Sequence, residues 1–158
     1  MSKNNIIVCV SGYFDPVHKG HLEYFKNAKK AIIDMEMYPP SIIKLLVIVN
    51  NDTQAALKKG KAFMPCDERI LLIQEFKCVD IVVKSIDETR DICETLREIS
   101  KDPKTKPTYF CNGGDQFNDI IPEKPVCEEL GIVLIDGLGN KVQSSSWLLK
   151  NAKDIQKK

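Results

Sequence analysis

The sequence predicts an α/β protein built around one parallel, doubly wound sheet of five strands. Five short apolar runs alternate with stretches of helical periodicity, and each run is nearly continuous, as it is in strands buried on both faces. The alternation implies right-handed β-α-β crossovers, which produce a Rossmann-like architecture. The length of 158 residues and the 43% hydrophobic content fit a single domain, residues 1–158, with a buried core.

The strands are predicted from short runs rich in β-branched residues. In chain order they cover residues 6–11, 43–50, 79–84, 108–112 and 132–136. The helices between them are predicted from apolar stripes and capping residues, and the first begins near Gly20 and ends before Pro39. The other expected boundaries are Asp67 and Asp87 as N-caps, Gly131 as a stop, and Ser144, Ser145 and Ser146 as the start of the last helix.

Composition excludes several classes of partner. The 23 basic and 22 acidic residues give a net charge of +1, so no long-range field attracts nucleic acid or an anionic membrane. The six cysteines are dispersed without a CxxC pair, which is typical of reduced thiols in a cytosolic protein. No apolar stretch is long enough for a signal peptide or a bilayer span. We therefore expect a cytoplasmic protein with no nucleic-acid partner and no membrane partner.

The ligand site is expected beyond the carboxyl ends of the strands, where doubly wound sheets bind their ligands. Both histidines of the chain, His18 and His21, lie just after the first predicted strand. Three positions apart at a helix start, they add two donors to the free backbone N–H groups there. Gly12 and Gly20 leave room for a phosphate to approach the backbone. The alternatives are structural histidines, or a zinc site that has only Asp15 as a further nearby ligand.

A cluster of lysines follows the second predicted strand. Lys58, Lys59 and Lys61 lie in a connection of about sixteen residues, which is longer than a plain connection needs. Long basic loops at a ligand-binding edge are often mobile lids or phosphate clamps, so position favours a functional role over a solvated surface run.

Two more polar stretches follow the fourth and fifth strands. Gly114 and Asp115 belong to a Gly-Gly-Asp segment, which suits contact with a base or ribose but also forms ordinary turns. Ser144, Ser145 and Ser146 place three hydroxyl groups at a helix start, where one serine is enough for a cap. The serines therefore indicate a second phosphate site.

The stretch GYFDPVHKGH resembles the HxGH motif of the nucleotidyltransferase superfamily. That superfamily includes cytidylyltransferases for glycerol phosphate and ethanolamine phosphate, and adenylyltransferases acting on heptose phosphate, pantetheine phosphate and nicotinate mononucleotide. The likeness continues in the same order through LKKGKAFMPCDERILLI, CVDIVV, GGDQF and SSSWLL. It implies nucleotidyl transfer, in which a phosphate oxygen of a small substrate attacks the α-phosphorus of a nucleoside triphosphate and releases pyrophosphate.

The resemblance also implies roles for individual residues. The catalytic residues implied are His18, His21, Lys58, Lys59 and Lys61. The nucleotide-binding residues implied are Gly12, Tyr13, Phe14, Gly20, Gly114, Asp115, Ser144, Ser145 and Ser146. Asp15 and Arg69 match positions associated with the phosphorylated substrate. The implied cofactor is Mg²⁺, which neutralises the triphosphate, and no residue is assigned as a metal ligand.

The donor nucleotide and the acceptor stay open at this point. The chain has GNKVQSSS where cytidylyltransferases have an RTEGIST-type segment, whereas small single-domain members are often cytidylyltransferases. The expected reaction transfers CMP or AMP to a small phosphorylated alcohol or sugar, with CTP slightly preferred. The alternatives are an adenylyltransferase acting on a sugar phosphate or mononucleotide, and a nucleotide-binding module without turnover. A homodimer is one assembly that the resemblance suggests.

Overall fold

The strands form one parallel sheet in the computed structural model, which describes residues 5–111 and 122–135. The five strands are β1 (Ile6–Gly12), β2 (Ile43–Val49), β3 (Ile81–Lys84), β4 (Tyr109–Cys111) and β5 (Val133–Ile135). Their order across the sheet is β3-β2-β1-β4-β5, and every pairing is parallel. The prediction of a Rossmann-like, five-stranded parallel sheet is therefore confirmed.

The helices cover both faces of the sheet. They are α1 (Lys19–Ile33), α2 (Asp52–Lys59), α3 (Cys66–Ile73), α4 (Cys93–Ile99) and α5 (Glu123–Leu130), with a 3-10 turn at Pro40–Ile42. Side chains of α1 and α3 form one apolar cluster with the sheet, and side chains of α4 and α5 form another on the opposite face. Within the described ranges, none of these helices combines the length and the apolar character needed to cross a membrane.

The strand order places a crevice beside β1. The chain runs from β1 to β2 and β3 on one side, and then crosses to β4 and β5 on the other side. The direction of winding therefore reverses between β1 and β4. Residues that follow β1 and β2 meet the end of β4 at this edge.

The long connection after β2 is only partly a loop. Residues 52–59 form α2, which begins with a reciprocal cap: Asn51 accepts the N–H of Gln54, and the Gln54 side chain accepts the N–H of Asn51. The prediction of one long loop from strand to helix is therefore wrong for these residues. The signal was present in the sequence, because Asn and Gln three residues apart fit a capping-box pattern.

Two of the predicted caps need correction. Helix α3 begins at Cys66 with Pro65 at the N-cap, so Asp67 lies inside the first turn, where its charge still favours the positive end of the helix. Asp87 precedes the N-cap position of α4, yet its carboxylate accepts the N–H groups of Glu94 and Thr95. The predicted stop of α5 is confirmed at Gly131, which has φ of 75°. The predicted helix start among the three serines lies outside the described residues.

The segment after α1 packs against the sheet through a tyrosine pair. The Tyr38 hydroxyl lies 2.9 Å from the Tyr109 hydroxyl on β4, and the two rings meet edge to face. Burial, together with the Tyr38 hydroxyl, raises the pKa of Tyr109 to about 12. Tyr38 therefore anchors the segment 34–42, for which the sequence indicated no role, to the core.

Candidate active site

A cavity of about 740 Å³ opens at the carboxyl edge of the sheet, beside the reversal between β1 and β4. Gly12 at the end of β1, Asn50 after β2 and Cys111 at the end of β4 all line it. Both histidines also line it. The prediction of a ligand site at this edge thus agrees with where the fold leaves space.

The two histidines cap helix α1. His18 is the N-cap residue, and its Nδ1 accepts the N–H of Gly20 at 3.0 Å. His21 occupies the third helical position, and its Nδ1 accepts the N–H of His18 at 3.2 Å. The rings stack with their centroids 3.8 Å apart. The predicted placement of both imidazoles on one side of the first turn is therefore correct.

These hydrogen bonds assign the protons of the two rings. A neutral imidazole whose Nδ1 accepts a hydrogen bond carries its proton on Nε2. Burial, and to a smaller extent the neighbouring His18, lower the pKa of His21 to about 4, so this ring is neutral near pH 7. The Nε2–H groups of His18 and His21 are left as two adjacent donors on residues that line the cavity.

The phenylalanine of the motif holds the histidine pair in place. The Phe14 ring is buried and meets the His21 and Phe25 rings edge to face. A Cβ at Gly12 would lie only 2.8 Å from the Phe14 ring. The absence of a side chain at Gly12 therefore admits the Phe14 ring, which differs from the predicted reason, approach of a phosphate.

The three lysines are in different environments. Lys58 and Lys59 line the cavity, whereas Lys61 is exposed and does not. The Lys58 ammonium lies 4.4 Å from the centre of the Tyr13 ring and has no anionic partner among the described residues. Lys59 is paired with Asp15, with 2.7 Å between Nζ and Oδ2. Of the two lysines that line the cavity, Lys58 is therefore the one without an ion pair among the described residues.

Asp15 ties the motif to the segment between α2 and α3. Its side chain is fully buried and accepts the backbone N–H groups of Phe63 and Met64. Burial by itself raises the pKa of Asp15, but the hydrogen bond and charge of Lys59 and the two amides outweigh it, so that the pKa lies below its usual value. The carboxylate is thus already engaged, and its predicted contact with substrate stays a prediction.

Arg69 does not line the cavity. Its side chain is fully buried, and its guanidinium donates to the carbonyl oxygens of Tyr13, Asn50 and Met64. It also contacts the carboxylate of Asp52 at 2.8 Å. This side chain joins the ends of β1 and β2 to α2 and holds the edge in shape, and its predicted role in binding substrate stays a prediction.

Sequence reasoning missed one part of the cavity lining, which comes from residues far along the chain from the histidine motif. It consists of Arg90, Asp91 and Ile92 before α4, with Pro122 and Glu123 at the start of α5. We call this group the α4–α5 wall. No motif pointed to it, since its residues come from two separate connections that only the fold brings together.

Several predicted residues are not part of the described lining. Gly20 donates its N–H to His18 and is not among the lining residues. Gly114, Asp115, Ser144, Ser145 and Ser146 lie outside the described residues, so their predicted contacts with nucleotide stay predictions. Tyr13, by contrast, lines the cavity, and its buried hydroxyl has no hydrogen-bond partner within residues 5–111 and 122–135.

The fold and this site define a nucleotide-binding α/β protein of the nucleotidyltransferase class. Residues 9–154 match the family model described as cytidylyltransferase-like, and the chain belongs to that family. The family that the HxGH motif indicated is thereby confirmed.

Three known proteins illustrate the similarity. The bifunctional protein HldE of Blochmanniella floridana is 32% identical over 143 residues, which cover 89% of this chain and 26% of that protein. FAD synthase of Picrophilus torridus is 28% identical over 144 residues, covering 88% of this chain and 90% of that enzyme. The crystal structure of a lipopolysaccharide core biosynthesis protein from Thermoplasma volcanium superposes with a TM-score of 0.62 at 27% identity, covering 83% of this chain and 93% of that one. The chain spans about a quarter of the length of HldE.

Proposed function

We propose that this protein transfers a nucleoside monophosphate, CMP or AMP, from a nucleoside triphosphate to the phosphate of a small acceptor. An oxygen of the acceptor phosphate forms a bond to the α-phosphorus, the bond from the α-phosphorus to the bridging oxygen breaks, and pyrophosphate leaves. The observation that carries the proposal is the stacked pair of His18 and His21 beside the cavity, whose Nε2–H groups have no acceptor among the described residues.

The histidines suit the charge that develops in this reaction. Negative charge grows on the oxygens of the transferred group and of the leaving pyrophosphate, and fixed donors stabilise it without reorganising. The attacking phosphate oxygen carries no proton, so the reaction needs no base to remove one. A neutral His21 can therefore act as a hydrogen-bond donor alone. The start of α1 adds the positive end of its dipole at the same place.

Lys58 is the residue we assign to the triphosphate. Its ammonium rests on the Tyr13 ring rather than on a carboxylate, so binding a phosphate breaks no described ion pair. Lys59 is less available, because its ion pair with the buried Asp15 carboxylate would have to be broken before it could bind a phosphate. We therefore expect Lys59 to shape the site and Lys58 to contact the nucleotide.

Mg²⁺ fits this site as an ion that enters with the triphosphate. The described residues contain no group of three or more His, Cys, Asp or Glu side chains that could hold a metal. The Nδ1 atoms of both histidines and the carboxylate of Asp15 are already hydrogen-bonded, so none of these is free to be a ligand. A Mg²⁺ ion held by the phosphate oxygens would neutralise part of the triphosphate charge.

The relatives favour two kinds of acceptor. The Picrophilus torridus relative is a FAD synthase, and the Thermoplasma volcanium neighbour is a lipopolysaccharide core biosynthesis protein. The first name favours ATP and a flavin acceptor, the second favours a sugar-containing acceptor, and the family description favours CTP. The donor is therefore to be decided by experiment between these two nucleotides.

Thermal unfolding with Mg²⁺ and each of ATP, CTP, GTP and UTP tests the proposal. A nucleotide present at about 100 times its dissociation constant adds roughly 2.7 kcal/mol to the stability of the native state. We expect ATP or CTP to raise the melting temperature, and Lys58→Ala to reduce that shift. Lys77→Ala, which removes an exposed lysine that is not part of the cavity lining, is the matched control. No shift with any nucleotide, in a protein that melts cooperatively, would contradict the proposal.

A further inference from the structure

Arg90 is a cation of the α4–α5 wall whose role the proposed reaction does not yet explain. It lies in the connection from β3 to α4, where residues 85–92 form neither helix nor strand. The residue is exposed, it lines the cavity, and it has no ion pair among the described residues. A long side chain on an irregular segment can occupy many positions. The position of its guanidinium therefore depends on what holds the backbone around it.

The carboxylates of this wall do not neutralise Arg90. The Asp91 carboxylate accepts the hydroxyl of Thr89 at 2.8 Å and the N–H at the start of α4 at 3.0 Å. The Glu123 carboxylate accepts the N–H of Ile92 at 3.1 Å and also its own backbone N–H. Both acidic groups are therefore engaged by the chain itself, and the donors of the Arg90 guanidinium remain for an anion in the cavity.

Gln54 holds the backbone on both sides of Arg90. Its Nε2 donates to the carbonyl oxygen of Thr89 at 2.7 Å and to that of Asp91 at 2.8 Å. These two residues come directly before and after Arg90 in the sequence. Because Gln54 is fully buried, water does not compete for its amide. The two hydrogen bonds therefore restrict where Arg90 can move.

The same residue fixes Arg90 relative to Lys58. Gln54 and Lys58 both belong to α2, about 6 Å apart along the helix axis and at neighbouring positions of its surface. The Oε1 atom of Gln54 accepts the N–H of Asn51, so this side chain is also fixed at the start of its own helix. Lys58 and Arg90 are the cations of the described lining that have no ion pair. Gln54 therefore sets the distance between the cations that are available to an anion.

We propose that Gln54 is a positioning residue: it holds Arg90 beside Lys58, so that both cations bind the phosphates of one nucleoside triphosphate. The inference rests on the proposed function, because it assigns Arg90 to the nucleotide that the reaction consumes. A triphosphate carries several negative charges, which a single ammonium group does not neutralise. The guanidinium adds a planar fork that binds a phosphate through parallel hydrogen bonds. A backbone that is fixed before binding also reduces the entropy lost when the nucleotide binds.

Isothermal titration calorimetry of the intact chain with Mg²⁺ and ATP or CTP tests the role of Arg90. The nucleotide that binds wild type more tightly is then used for every variant. Arg90→Ala should raise its Kd about ten- to a hundredfold, since a charged hydrogen-bond partner is lost. Arg90→Lys should recover part of the affinity, because it keeps the charge without the fork. Arg97→Ala removes an arginine that pairs with Glu94 outside the cavity lining, and it should leave the Kd within about twofold of wild type.

A double-mutant cycle tests the positioning role of Gln54. Gln54→Met removes the donor to both carbonyls at similar side-chain size. We expect a Kd about three- to tenfold higher, because ordering Arg90 then costs entropy when the nucleotide binds. In the Arg90→Ala background the same substitution should leave the Kd within about twofold, whereas it should lower the melting temperature equally in both backgrounds. A merely structural residue would weaken binding equally in both.

Asn51→Ser is the matched control for the loss of hydrogen bonds. Its amide donates to the carbonyl oxygens of Ser85 and Asp87, which lie in the same connection but further from Arg90. Serine still caps α2 by accepting the N–H of Gln54. The variant should therefore lower the melting temperature and leave the Kd within about twofold of wild type. Circular dichroism checks folding, and Gln54→Asn, which keeps a shorter amide, takes the place of Gln54→Met if that variant does not fold.

The outcomes distinguish this inference from the proposed function. If neither ATP nor CTP binds wild type, the proposed function is wrong, and the role of Arg90 is wrong with it. If a nucleotide binds wild type and Arg90→Ala with the same Kd, only this inference is overturned. A Kd that rises in Arg90→Ala but not in the Gln54 variant overturns the positioning role. An equal effect of the Gln54 variant in both backgrounds overturns it as well.

Discussion

The imidazole rings of His18 and His21 stack with their centroids 3.8 Å apart, and each accepts a backbone N–H through Nδ1. One pair of residues therefore caps helix α1 and also presents two Nε2–H donors at the cavity. Substitution by alanine would remove the cap and the donor together. Variants that keep one of these functions are needed to separate them.

The variant His18→Asn should keep the cap and lose the donor. Asparagine is among the best N-cap residues, so its side chain can accept the N–H of Gly20 as His18 does. Its amide does not extend to the position of Nε2. We expect the free energy of unfolding to change by less than about 0.5 kcal/mol, and pyrophosphate release to slow about a hundredfold or more.

Urea unfolding and single-turnover kinetics provide the two readouts for this variant. His18→Ala is the comparison, since it should also lose about 1 kcal/mol of stability with the cap. Turnover of His18→Asn close to that of wild type would mean that the Nε2–H group of this residue takes no part in the reaction.

The second prediction concerns pH. The pKa of His21 is lowered to about 4 by burial and by His18, whereas an unfolded histidine titrates near about 6.5. Between these two pH values His21 binds a proton in the unfolded chain but not in the folded chain. The stability that neutral His21 contributes to the folded protein is therefore fully present above about pH 6.5 and is lost as the pH falls toward 4. Wild type should therefore lose more stability than His21→Gln between pH 7 and pH 5.

NMR titration of the imidazole C–H signals measures the pKa of His21 in the folded protein directly. The chain has only two histidines, so a spectrum of His18→Asn assigns the His21 signal without ambiguity. A midpoint near 6.5 for this signal would show that the ring is not shielded as the structure has it.

The third prediction concerns the pairing of Lys59 with Asp15. The Asp15 side chain is fully buried and that of Lys59 is 35% exposed, so the strength of the pair should lie between those of surface and buried ion pairs. A double-mutant cycle with Asp15→Asn and Lys59→Met should give a coupling energy of about 1 to 2 kcal/mol in urea unfolding. Lys58→Met, combined with the same Asp15→Asn, is the matched control and should be additive. Additivity in both cycles would rule out the stabilising role of the Lys59 pair.

The sequence predicted the parts of this protein that depend on local pattern. Continuous apolar runs identified all five described strands, and the spacing of His18 and His21 placed both rings on the first turn of α1. Helix α2 was missed because a charged, lysine-rich segment has little apolar periodicity, although Asn51 and Gln54 signalled its start.

The missed features depend on tertiary contacts that no local pattern encodes. The motif implied substrate contacts for Asp15 and Arg69 but did not reveal their protein partners, which lie 44 or more residues away for Asp15 and up to 56 residues away for Arg69. Whether a charged side chain faces a ligand or a buried carbonyl depends on packing between distant segments. The α4–α5 wall was missed for the same reason, because Arg90 and Glu123 come together only when α4 and α5 pack side by side.

The last prediction separates a structural Arg69 from a substrate-binding one. Its guanidinium donates four hydrogen bonds, three to backbone carbonyls and one to Asp52, with no exposure to solvent. Arg69→Met should cost about 3 kcal/mol or more, because buried acceptors are left unpaired. Arg69→Lys should recover little of the stability that Arg69→Met loses, since one ammonium group cannot reach all the acceptors that the planar guanidinium spans. Thermal and urea unfolding of both variants measure the loss, with Arg97→Met as the exposed control.

Kinetics of the folded fraction complete the comparison. If Arg69 only positions the edge of the sheet, Arg69→Lys should lower stability and kcat together and affect the KM values of both substrates to a similar extent. If Arg69 instead binds the acceptor phosphate, the lysine variant should retain most of its stability and raise the acceptor KM alone. The second result would mean that the Arg69 side chain leaves its buried hydrogen bonds during turnover, and it would restore the role that the motif predicted.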